Sequence, residues 1–181
     1  MDKGILIVNT GEGKGKTTAA LGLGLRAIGH GMKVLMLQFI KGSLPTGELE
    51  AVKRLGPDFK IVQLGQGFIK VRNKGGQGEL PYTNTILENA RVSWDYARQE
   101  IFSDLYDMVI LDEINNMIDY GLLDVNNVIT VLNERPQRLH MVLTGRNAHS
   151  KIIEIADTVT DMREIKHVYK KGITAQKGIE F

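Results

Sequence analysis

A chain of 181 residues, 43% hydrophobic and 24% charged, has the size and balance of one soluble globular domain with a full core. Its net charge of +2 comes from Lys and Arg spread along the chain, not from a basic stripe of the kind that binds nucleic acid. The absence of cysteine excludes disulfides, thiolate zinc sites and cysteine nucleophiles; His30, His140, His149 and His167 lack metal-ligand spacing; and with no signal-like or membrane-spanning apolar run, a cytoplasmic protein is expected.

The first apolar run, Ile5-Leu6-Ile7-Val8, reads as a strand over residues 4–9, apolar on both faces like a central strand of a parallel sheet. Residues Thr10 to Thr18 follow as T-G-E-G-K-G-K-T-T. Gly15-Lys16-Thr17 fill the last three places of the phosphate-loop pattern G-x-x-x-x-G-K-[ST], and Thr10 stands where its first glycine belongs. Gly11, Gly13 and Gly15 let the backbone curl so that successive N–H groups form an anion nest. A helix starting near Lys16 adds its positive N-terminus. The residues expected to bind the nucleotide, ATP if the resemblance given below holds, are therefore Gly11, Glu12, Gly13, Lys14, Gly15, Lys16, Thr17 and Thr18. Lys14 and Lys16 serve as cations for a triphosphate, and the Thr17 hydroxyl serves as a ligand to Mg²⁺ or Mn²⁺.

The helix over 16–29 contains Gly22 and Gly24, each costing about 1 kcal/mol against Ala, which points to close packing on the sheet. A strand over 33–39, a loop over 40–47, a helix over 48–55 and a strand over 59–64 follow. Residues 65–81 hold five glycines among basic and polar residues, and a loop of that length is functional or mobile, not idle. The helix over 83–103 places Ile86, Leu87, Ala90, Trp94, Ala97 and Ile101 near the 3.6-residue period, which assigns Trp94 to the core.

Asp107 to Glu113 reads as a buried strand ending in two carboxylates. Placed beside the phosphate loop, Asp112 and Glu113 are positioned to hold Mg²⁺ directly or through water. A helix over 124–133, a strand over 139–143 and a helix over 149–156 continue the alternation. The expectation is an α/β fold: a mostly parallel sheet flanked by helices in the three-layer P-loop NTPase (RecA-like) architecture. One nucleotide-binding domain spans residues 1–181, with the ligand at the carboxyl ends of the strands.

Motifs alone stop at a nucleoside triphosphate and magnesium. Beyond them the chain resembles the P-loop type of ATP:corrinoid adenosyltransferase, the cob(I)alamin adenosyltransferases, over essentially its whole length. The resemblance is carried by Thr10–Thr18, Arg26-Ala27-Ile28-Gly29-His30-Gly31, Gln38-Phe39-Ile40-Lys41-Gly42 and Met108–Glu113. It continues through Leu132–Pro136, Thr144-Gly145-Arg146, Ala156–Val159, Lys166-His167 and Ala175–Phe181. Thr in place of the first loop glycine is itself a trait of that family.

This resemblance implies transfer of the 5′-deoxyadenosyl group of ATP to the Co(I) of a reduced corrinoid, cobalamin or cobinamide, with release of tripolyphosphate, in adenosylcobalamin biosynthesis or salvage. Co(I) is itself the nucleophile, so no catalytic base is needed. Lys14, Lys16 and a metal near Thr17 and Asp112 or Glu113 would neutralise the leaving group. The family's triphosphate lies reversed in the loop relative to ordinary P-loop enzymes. The family's Gly-Phe-Thr-Trp segment, which meets the lower corrin face, corresponds here to Gly67-Phe68-Ile69-Lys70. Phe68 is thus the implied catalytic aromatic on the corrin, and Lys70, at the tryptophan position, is the second corrinoid-binding residue. Longer members carry an extra segment before the first strand, which here stands almost at the start. A homodimer, a flavoprotein reductant, and no nucleic-acid or membrane partner complete what the resemblance implies.

Other residues keep two readings. Arg26 lies roughly 15 Å along its helix from Lys16, so it serves the nucleoside or only the sheet surface. Asn133–Pro136 reads as a helix end with a structural salt bridge, while Arg146 either meets phosphate or substrate or is structural. The alternative function is a generic P-loop ATPase or nucleotide switch releasing ADP. A nucleoside kinase of the thymidine-kinase kind is a third reading, disfavoured by the missing zinc-lasso cysteines.

Overall fold

In the computed structural model, which describes residues 3–42, 46–65 and 83–179, the alternation read from the sequence closes into one six-stranded sheet. The elements are β1 (Leu6–Thr10), α1 (Lys16–Ile28), β2 (Val34–Gln38), α2 (Gly47–Leu55), β3 (Phe59–Gln63) and α3 (Asn84–Phe102). Then come β4 (Met108–Asp112), α4 (Ile114–Asp119), α5 (Val125–Glu134), β5 (His140–Thr144), α6 (Ser150–Ile155), β6 (Thr158–Asp161) and a 3₁₀ turn at Val168–Lys171. The strand order is β3-β2-β4-β5-β1-β6 and every pairing is parallel. Among the described residues no helix is long and apolar enough to cross a membrane.

Each central strand is apolar on both faces because both faces are covered. Leu6, Val8, Leu35, Leu37, Val109, Leu111, Met141 and Leu143 pack with residues of α3, α4, α5 and α6, including Trp94, Ile101, Met117, Leu132 and Ile152. The alternate residues Val34, Met36, Met108, Ile110 and Val142 pack with Ala20 and Ala27 of α1 and with Phe59. Three layers result, and Trp94 is a core residue, 6% exposed. Gly24 has the packing reason expected of it: a Cβ there would stand 2.7 Å from the Phe59 ring. Gly22 does not, since nothing lies within 4 Å of its missing Cβ; it opens onto a cavity beside the phosphate loop.

Three elements were not foreseen. The helix α4 has only six residues and starts abruptly after β4, through Glu113 in the left-handed region at φ 67°. The strand β6 is exposed along its whole length, so it has no hydrophobic alternation to read. The 3₁₀ turn has no buried residue. The glycine-rich stretch, with Phe68 and Lys70, lies outside the described residues from 66 to 82.

Candidate active site

Thr10 is the last residue of β1, an extended position that needs no glycine. Its hydroxyl accepts a hydrogen bond from the Ala148 N–H at 3.1 Å, fixing the loop's entry to the segment after β5. Gly11 turns the chain at φ +97°, and a Cβ there would stand 2.1 Å from Asp161 Oδ1. The loop is therefore laid against the end of β6, where only glycine fits. Gly13 departs from the expected nest: its N–H donates to the Met162 carbonyl and so faces the strand end. Gly15, at φ +115°, caps α1 without any side-chain hydrogen bond, and no acid lies in the helix's first turn. Helices α3 and α5, by contrast, are capped by the side chains of Thr83 and Asp124. The N–H groups of Lys16, Thr17 and Thr18 precede the helix's first backbone hydrogen bond, from Ala19 to the Gly15 carbonyl, which leaves them open to an anion.

Lys16 turns back over this loop, its Nζ 2.7 Å from both the Gly11 and Gly13 carbonyl oxygens. Burial lowers its pKa, an effect opposed by the nearby charge of Glu113. Lys14 reaches the Ile179 carbonyl at 2.9 Å. Cavities flank the loop, and two of them meet at Lys16. One, of about 700 Å³, runs between α1 and α2 past Thr18, Leu21, Gly22 and Ala51. The other, of about 550 Å³, is bounded by Asn116, Tyr120, Arg146, His167 and Tyr169. Lys14, Lys16 and Glu113 line both.

The acidic strand end is not adjacent to β1, because β5 lies between β1 and β4. Side chains close the gap. The Thr17 hydroxyl donates to Asp112 Oδ1 at 2.8 Å, and the Thr144 hydroxyl, at the end of β5, donates to the same oxygen at 2.7 Å. Thr144 also accepts the Glu113 N–H at 2.9 Å, pinning the turn into α4. The parallel register places Gln38 beside Asp112, with Gln38 Nε2 3.5 Å from Asp112 Oδ2. Asp112 has no solvent exposure. The Glu113 carboxyl is pushed up by burial and then by the Asp112 charge.

Among the described residues no group of three or more His, Cys, Asp or Glu could cage a metal. That suits Mg²⁺, which takes one or two protein groups and completes its shell with phosphate oxygens and water. Thr17 and Asp112 fit such a site: with its proton committed to Asp112, the Thr17 oxygen still offers lone pairs to a hard cation. Glu113 is close enough to act on Lys16 and Asp112 electrostatically.

Arg146 borders the second cavity, pairs with Glu12 at 3.3 Å, and donates its backbone N–H to Asn116 Oδ1 at 2.9 Å. Among the described residues Arg135 makes no salt bridge of the kind expected at its helix end; its guanidinium donates to the carbonyls of Leu132, Leu139 and Gly4. Arg26 is exposed in the last turn of α1. Sequence reasoning quoted Thr144 and Gln38 without their contacts to Asp112, and it missed Glu48 and the Asp161–Arg163 backing of the loop. For Thr144 and Gln38 the signal was a hydroxyl or amide side chain at a strand end.

The family model for ATP:corrinoid adenosyltransferase BtuR/CobO/CobP matches residues 2–181. The chain belongs to this family. Relatives bearing the name corrinoid adenosyltransferase agree along nearly its full length. The Sinorhizobium sp. protein is 43% identical over 99% of this chain and 81% of its own. Those of Escherichia coli K12 and Salmonella typhimurium are 39% and 37% identical, each over 99% of this chain and 87% of theirs. Membership makes this adenosyltransferase a transferase that takes ATP and a corrinoid as substrates.

Proposed function

We propose that the chain transfers the 5′-deoxyadenosyl group of ATP to the Co(I) of a reduced corrinoid. The cobalt lone pair attacks C5′, the C5′–O bond breaks, and tripolyphosphate leaves with the bonding pair. The observation that carries this reading is the union of Thr17, Asp112 and Thr144 beside an uncapped α1 N-terminus, in a chain of this family. With the substrate cobalt as nucleophile, the Thr17 hydroxyl and the Asp112 carboxylate are left to serve metal and phosphate.

The first turn of α1 and Lys16 receive the triphosphate, and Lys14 adds a second charge at its side. Developing negative charge on the leaving group meets donors already in place, so little reorganisation is needed at the moment of transfer. Mg²⁺, when bound, would supply charge neutralisation to the phosphate oxygens. Thr17 and Asp112 would hold it, and Glu113 stands beside them. Thr144 and Gln38 orient the Asp112 carboxylate for that role.

The resemblance supports a triphosphate lying in reversed sense, Phe68 and Lys70 on the lower corrin face, a homodimer and a flavoprotein reductant; chain length supports a single domain over 1–181, and the apolar pattern of the sequence a cytoplasmic setting. The test is to mix the protein with ATP, Mg²⁺ and chemically reduced cobalamin and record the visible spectrum. Conversion to the light-sensitive alkylcobalt product is expected. Consumption of ATP with no change in the corrinoid spectrum would instead mark a P-loop ATPase.

A further inference from the structure

The segment Gln38-Phe39-Ile40-Lys41-Gly42 runs from the end of β2 toward α2, and most of it has no part in the chemistry derived above. Lys41 Nζ lies 2.9 Å from Glu48 Oε1 and 3.9 Å from Asp112 Oδ2. The first is a hydrogen bond; the second is too long to be one. The same Glu48 oxygen accepts from Gln38 Nε2 at 3.1 Å. Gln38 is fully buried and the Glu48 side chain is 13% exposed, so this pair is fixed on the sheet side, whereas the Lys41 side chain is 29% exposed. Lys41 and Glu48 line the cavity between α1 and α2, together with Lys14, Lys16 and Thr17.

An ammonium has three N–H donors, and Glu48 takes one. Lys16 is folded under the loop against two carbonyls. A departing tripolyphosphate carries several charges over a length that one lysine does not cover. We infer that Lys41 is a further phosphate-contacting residue: it takes the part of the triphosphate that leaves the glycine loop toward α2, and Glu48 with Gln38 positions its ammonium there. The inference rests on the glycine loop holding a triphosphate, as proposed above.

The probe is inorganic tripolyphosphate with Mg²⁺, titrated calorimetrically into the full chain. Lys41→Met keeps the aliphatic stem and should weaken binding about tenfold or more, the scale of one charge-assisted hydrogen bond. Lys41→Arg should restore binding to within about threefold of wild type, which a purely structural lysine would not require. Glu48→Gln should weaken binding by a smaller factor, and combined with Lys41→Met it should add almost nothing, because both act through one ammonium. Lys16→Ala is the reference. If Lys16→Ala loses binding while Lys41→Met stays within about twofold of wild type, the Lys41 assignment is overturned and the loop assignment stands. If Lys16→Ala also binds normally, the loop reading itself fails. Fully additive losses in the double variant would overturn the positioning role of Glu48. Unfolding midpoints establish that each variant is folded, and a Lys41→Met chain that does not fold leaves Lys41→Arg and Glu48→Gln to decide.

Discussion

Thr144→Val replaces a hydroxyl with a methyl of nearly equal size, so it opens no cavity and isolates the hydrogen bonds. Thr144 is fully buried and serves two partners, donating to Asp112 Oδ1 at 2.7 Å and accepting the Glu113 N–H at 2.9 Å. The first loss is a hydrogen bond to a charged group, about 1.5–3 kcal/mol; the second orphans a backbone N–H, about 1–3 kcal/mol. Partial relaxation brings the expected total to about 3 kcal/mol, a large share of the stability of an ordinary domain. In a chain of this size that lowers the midpoint of thermal unfolding by roughly 6–12 °C. Asp112 keeps the Thr17 and Gln38 contacts but loses its anchor on β5, so turnover should fall about 10–100-fold, as for other partners that orient a metal-binding carboxylate. Thr144→Ser retains the hydroxyl and should recover most of both quantities. The assays are scanning calorimetry and initial rates with reduced cobalamin. A Thr144→Val protein melting within about 2 °C of wild type, with unchanged rate, would refute the reasoning that this hydroxyl organises the acidic strand end.

Three further outcomes follow from the same geometry. Lys16→Ala should cut turnover by about two orders of magnitude or more while the fold persists; a folded variant with near-normal activity would remove the nest from the mechanism. Burial pushes the Glu48 carboxyl up, but the hydrogen bond from Lys41, one from its own backbone N–H, the Lys41 charge and the hydrogen bond from Gln38 together outweigh it and hold the group below the ordinary 4.5. A depressed carboxylate contributes stability above its unfolded pKa and loses it as pH falls through the folded one. Wild type should therefore out-melt Glu48→Gln near neutral pH, with a gap that closes below about pH 4.5; a gap independent of pH contradicts the pairing. For the corrin side, Phe68→Ala should impair a reaction started from Co(II) and a mild reductant far more than one started from ready-made Co(I). Equal wild-type and variant rates from Co(II) would move the corrin site elsewhere.

Much of this architecture could be read from local signals. The strand–loop–helix entry at residues 4–29 and the apolar run ending in Asp112-Glu113 each carry their own chemistry, and the 3.6-residue spacing in α3 put Trp94 in the core. Elements without burial left no such trace: β6 is exposed throughout, yet Asp161 and Met162 at its end are what Gly11 and Gly13 lie against. The glycines announced a tight loop; they did not reveal that the Gly13 N–H would be taken by the carbonyl of Met162, just past the end of β6. Thr17 and Asp112 both read as metal ligands, but the strand β5 between β1 and β4, and hence Thr144 as a second donor to Asp112, depended on sheet order. Nothing in the one-dimensional pattern sets that order. Arg135 shows the same limit: beside Glu134 it reads as a salt bridge, and it is instead a clamp on three carbonyls brought together by the sheet.

The central claim is that C5′ of ATP, and not a phosphorus atom, is attacked. Phosphate-product chromatography during a single incubation with ATP, Mg²⁺ and reduced cobalamin tests it directly. Tripolyphosphate should accumulate one-for-one with adenosylated corrinoid, and neither product should form when the corrinoid is left out. ADP and inorganic phosphate as the main products, with or without corrinoid, would contradict it.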